Sequence, residues 1–123
     1  MAVVPRLESI PFPDPRRNAA VDAGADLVIW QEYMTGGFIG FLERLSVSRG
    51  DNLLGCNNTW VDFRIDGTLI ERVQREISEN MPDIYKPEMV VRKKIEFRAH
   101  NGDTAAHQFE VIAQGRLCRP LQK

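Results

Sequence analysis

The stretch Arg64–Pro82, "RIDGTLIERVQREISENMP", decides how this chain is read. It opens on Asp66-Gly67, a pair suited to the two-residue turn of a β-hairpin. It continues with Thr68-Leu69-Ile70-Glu71, which has the form of a helix capping box. Leu69, Ile70, Val73, Ile77 and Met81 then fall on one helical face. The two readings exclude each other after Gly67. A regular hairpin sets Asp62 opposite Glu71, a like-charge pair, and Val61 opposite Arg72. A helix instead gains Glu71 and Arg75 in the favourable i, i+4 order. The pairing argument favours a helix over about 68–81, stopped by Pro82.

Upstream, residues 60–65 alternate: Val61, Phe63 and Ile65 point one way, Asp62 and Arg64 the other. That is a half-buried strand of an antiparallel sheet. Phe38, Phe41, Leu42 and Leu45 stand at i, i+3, i+4, i+7, the apolar stripe of a second helix. Gly36 and Gly40 have the spacing of a membrane helix-pairing motif. Gln31, Glu32, Glu43 and Arg44 interrupt any apolar run long enough to span a bilayer, so no membrane span is expected. Residues 26–34, "DLVIWQEYM", fit a buried strand or a helical turn, since periodicity does not separate the two in a short run. Residues 46–58 read as a loop. The Arg49-Gly50-Asp51 tripeptide and the Asn57-Asn58-Thr59 glycosylation pattern inside it are too short to carry a function.

Downstream, strands are expected from about Met89 to Ala99 and from His107 to Leu117, joined as a long two-stranded ribbon. Both histidines of the chain, His100 and His107, flank its tip, Asn101-Gly102-Asp103. The apolar positions of both strands are odd-numbered, so coincident faces require paired residue numbers with an even sum, such as Phe97 with Phe109. In such registers the histidines point to opposite faces. In the odd register they lie roughly 13 Å apart along the ladder. Neither arrangement brings both within the 2.1 Å or so of one metal that a zinc site needs. They read as the polar shoulders of a hairpin tip, with no metal site.

Residues 1–18 carry Pro5, Pro11, Pro13 and Pro15 and read as an extended arm, whose Ile10 and Phe12 need somewhere to dock. Residues 19–123 are then one domain, a size that buries a core without staples. The net charge of −1 gives no basic field for nucleic acid or an anionic membrane. Cys56 and Cys118 form no zinc or disulfide framework. No signal-peptide core stands at the N-terminus, so a cytoplasmic or particle-associated protein is expected.

These elements predict an α+β fold: a small antiparallel sheet with one or two helices on one face and an extended N-terminal arm. No catalytic residue set, metal site or cofactor motif emerges. The expected function is a non-enzymatic structural or assembly subunit of a multi-subunit particle, such as a virion component. Its partners would be copies of itself or other protein subunits. Contacts would fall on Ile10 and Phe12 in the arm and on His100, Asn101, Gly102 and Asp103 at the tip. A rival reading is a small-ligand or small hydrolase- or isomerase-type pocket, lined by Trp30, Tyr33, Trp60 and Phe63, with Asp62 or His107 as its polar group. A third is an inhibitor or immunity-type protein binder with a charged surface patch.

Overall fold

The computed structural model describes residues 7–121. All of its regular structure is β: nine antiparallel strands in two sheets, with no helix among the described residues. The expected α+β class is thereby overturned. The strands are β1 (Leu7–Pro11), β2 (Arg16–Val21), β3 (Asp26–Tyr33), β4 (Ile39–Arg49), β5 (Thr59–Ile65), β6 (Thr68–Val73), β7 (Asp83–Val91), β8 (Lys94–Asn101) and β9 (His107–Pro120). Sheet A runs β1-β9-β4-β7, with β2 also on β9, and sheet B runs β3-β8-β5-β6. The antiparallel pairs β2–β9, β3–β8, β4–β7 and β5–β6 are nested, as if one long hairpin were rolled up. That connectivity is the jelly roll, two Greek keys packed face to face.

Neither predicted helix forms: the first is strand β4, the second is strand β6 over 68–73 followed by loop, and β-bulges explain the helical spacing. In β4 the register on β9 shifts between Leu42 and Arg44, so Glu43 is an extra residue. A bulge turns the two-residue period into three at that point. Leu42 and Leu45 therefore both face the core, fully buried, at a spacing that imitates a helix. The hairpin at Asp66-Gly67 does form, with positive φ at both residues, 52° and 83°. Its ladder shifts too: Arg64 pairs with Leu69 but Phe63 with Glu71, leaving Ile70 as the extra residue. Asp62 thus meets Arg72 instead of Glu71, and Val61 meets Val73. Of the five residues assigned to a helical face, only Val73 and Ile77 are buried; Met81 is 81% exposed.

The remaining corrections concern pairing. The predicted strand over 89–99 is broken at Arg92-Lys93, between β7 and β8. Strands β8 and β9 are not a ribbon: they lie in different sheets. Their odd-numbered apolar residues do face a common core, but across the sandwich, where Phe97, Ala99, Phe109, Val111 and Ala113 are fully buried. Residues 26–34 resolve as strand β3, and the loop expected over 46–58 begins only after Arg49. Of the segment read as an arm, residues 1–6 lie outside the described residues, and the rest lies along β9 of its own chain, β1 on residues 116–120 and β2 on residues 107–112. "FPDP" at 12–15 breaks this edge in two and tucks Phe12 against Gly115. No helix of the described residues is long and apolar enough to cross a membrane.

Candidate functional site

The topology gives the sandwich two unlike ends. The connections β2–β3, β4–β5, β6–β7 and β8–β9 gather at one, here the loop end; β3–β4, β5–β6 and β7–β8 gather at the other, the turn end. The sequence-predicted residues are scattered over this frame. Ile10 is half-exposed on β1 opposite Leu117, and Phe12 is buried. Trp30 and Phe63 point inward and join an aromatic row, Phe12–Trp30–Phe97–Phe63, with the last two ring pairs stacked at 5.5 and 4.8 Å. Tyr33, Trp60 and Asp62 point to the opposite, outer face of sheet B. The six residues proposed for a pocket therefore do not share one.

His107, Asp103 and Asn101 belong to a polar clasp at the loop end. Arg49, only 1% exposed, donates from Nε and Nη2 to both carboxylate oxygens of Asp51 and from Nη1 to Cys56 O and Thr59 Oγ1. His107 sits between two carboxylates, with Nε2 2.6 Å from Asp103 and Nδ1 3.7 Å from Asp51. The hydrogen bond to His107 holds the Asp103 carboxyl below the usual carboxylate range, and that to Arg49 does the same for Asp51. Asn101, fully buried, donates to Val21 O and Ala105 O, and Gly102 N–H donates to Asn58 O. Glu76 accepts from the N–H groups of Arg49 and Leu54. All four loops are tied together. These polar groups are spent on one another and on loop backbone, as buried polar groups generally are, and the arginine of the Arg49-Gly50-Asp51 tripeptide is sealed inside.

His100 belongs to a second, separate group on the outer face of sheet B. Its ring stacks on Trp60 at 4.1 Å and its Nδ1 bonds Asp26. From β6, Arg72 lies over the same indole at 4.4 Å while gripping Asp62. Both faces of Trp60 are thus taken by its own chain, one by imidazole and one by guanidinium. The two histidines share no site.

The feature that motif reading missed is on the outer face of sheet A at the turn end. Cross-strand neighbours place Val90, Phe41, Ile39, Cys118, Leu7 and Pro120 together there. Leu7 is 63% and Val90 39% exposed. A shallow apolar groove of about 330 Å³ runs among Leu7, Ile39, Phe41, Cys118 and Pro120. Its arginines are engaged within the chain: Arg116 with Glu43 and Glu88, Arg119 with Glu8. Strand alternation over residues 39–42, before the bulge at Glu43, is the signal in the sequence that sets Ile39 and Phe41 on one face.

Among the described residues, no group of three or more His, Cys, Asp or Glu side chains is placed to hold a metal ion. Comparison with protein-family models, curated proteins and solved structures gave no match.

Proposed function

We propose that this chain is a non-enzymatic assembly subunit, a jelly-roll module that joins a multi-subunit particle through protein contacts. The observation that supports it is the exposed apolar face of sheet A, since contiguous apolar surface on a folded domain marks interaction sites. The contact surface is that face, to which β1 contributes Leu7, and not a free arm or a hairpin tip: residues 7–11 already pair with β9, and His100 to Asp103 are not the tip of a ribbon. Jelly rolls also serve as lectin and cupin domains, so the virion component within this proposal rests on fold analogy. Light scattering on the full chain across a wide concentration range tests it. A mass above the 14.0 kDa of one chain is expected. A monomer at every concentration turns against self-assembly.

The rival pocket reading has one observation in its favour, a cavity of about 500 Å³ outside sheet A. It is bounded by Ser46, Ser48, Glu76, Glu79 and Glu110. Its volume falls within the usual ligand range, and Ile77 and Ile112 add apolar floor to a rim that carries three carboxylates. Arg16 bridges Glu79 and Glu110. A ligand there would be cationic or polyhydroxylated, and calorimetric titration with such compounds decides it.

A further inference from the structure

We infer that the apolar outer face of sheet A at the turn end is a two-fold contact, covered by the same face of a second copy of this chain. This rests on the assembly reading above and names its partner and symmetry. The argument is one of charge. The arginine on the patch face, Arg116, is balanced by Glu43 and Glu88 at 2.9 and 3.4 Å, and Arg119, which alternates to the other face at the border of the groove, is paired with Glu8 at 2.7 Å. Arg119 is further held over the Phe38 ring and donates to Gly36 O. The face therefore offers apolar area ringed by paired charges of both signs.

A partner of one sign, such as nucleic acid, an anionic lipid surface or an acidic peptide, would have to break those pairs to gain anything. A neutral apolar surface with a mixed rim would not. The chain itself carries such a surface, and a two-fold axis brings it against its own copy, apolar centre on apolar centre, with the rim charges already paired within each chain. Elsewhere the exposed apolar side chains, such as Tyr33 and Leu69 on sheet B and Leu53 and Met81 at the loop end, stand beside ion pairs: Arg72–Asp62 and His100–Asp26 on sheet B and His107–Asp103 at the loop end.

Cys118 lies in the middle of the patch, between Ser9 on β1 and Ile39 on β4. A two-fold through this face sets it near its own symmetry mate, which supplies a reporter. The experiment is sedimentation of the full chain and of Phe41→Lys, with Ile70→Lys on the sheet B edge as control. It is joined to bis-maleimide cross-linking through Cys118 in a Cys56→Ser background.

A dimer is expected, weakened at least tenfold by Phe41→Lys, unchanged by Ile70→Lys, and cross-linked through Cys118 only where Phe41 is intact. If Phe41→Lys does not fold, Leu7→Lys makes the same test from a more exposed position. An oligomer that survives these substitutions with no Cys118 cross-link overturns this inference and leaves the assembly reading standing. A wild-type chain that is monomeric throughout overturns this inference and, with it, self-assembly as the form of the assembly reading.

Discussion

Asp66 shows how one side chain serves two turns. Its positive φ helps to make the β5–β6 turn, while its carboxylate accepts the N–H groups of Arg92, Lys93 and Lys94 from the β7–β8 turn. Partial burial pushes this carboxyl up, but the three backbone donors outweigh it and leave it below its ordinary value. Because the folded state holds the proton more weakly than the unfolded chain, this contribution is fully present above the unfolded carboxyl pKa. It is lost as pH falls through the folded one. Asp66→Ala should lower the melting temperature at pH 7 and lose most of that deficit in acid. Asp66→Asn, which keeps one acceptor, should fall between. Thermal melts across pH 2–7 check both. Arg49 is the corresponding residue at the loop end. Arg49→Ala removes the bidentate donor of Asp51 and one donor each from Thr59 Oγ1 and the Cys56 carbonyl, which keep only the Leu53 N–H, the Gly55 N–H and the Thr59 hydroxyl, and it empties a fully buried side-chain site. It should destabilise by about 3 kcal/mol in urea titrations. Arg49→Lys should recover little, because an ammonium cannot reproduce the guanidinium fork.

At the level of elements, the bulges carry the lesson. The signal for the Asp66-Gly67 turn was legible because the turn's conformation is local and needs two residues that tolerate positive φ. The helix over 68–81 was read in its wake because a regular ladder placed Asp62 against Glu71. Ile70 removes that objection by standing outside the ladder, so Asp62 pairs with Arg72. Deleting Ile70 should therefore keep the register of β5 on β6 and yield a folded chain with a similar circular dichroism spectrum. Deleting Arg72 should set Val73 opposite Asp62, turn a fully buried residue outward and abolish cooperative unfolding. A drop in stability for the Ile70 deletion as large as that for Arg72 would contradict this account of the bulge. Glu43 acts the same way in β4, where one extra residue makes Leu42 and Leu45 look helical.

For the whole molecule, the N-terminal segment is a structural edge. Strands β1 and β2 occupy one full side of β9, and Phe12 closes the core beside Gly115, whose Cβ, if present, would stand 2.9 Å from the Phe12 ring. Removing residues 1–18 would bare the edge of β9 and open that pocket. The expected outcome is loss of the thermal transition or aggregation in light scattering, since an uncovered edge templates pairing. A truncated chain that stays folded and monomeric would show instead that the segment is dispensable to the sandwich.

What the sequence determined by itself is local. It specified the strand at 60–65, strand signals within 89–99 and 107–117, and the odd-numbered inward faces of β8 and β9, while the turn signal at Asp66-Gly67 is outweighed in the sequence by the helical pattern after it. These signals follow from alternation and from turn chemistry, which act over a few residues. Only the tertiary structure decided which strands pair, that β8 and β9 face each other across a core, and where an extra residue leaves the ladder. The apolar face of sheet A belongs to the same class. Leu7, Ile39, Val90 and Pro120 stand far apart along the chain and become neighbours only when β1, β9, β4 and β7 lie side by side. Pairing energy depends on partners distant in sequence, and a single bulge reverses which side chains meet them.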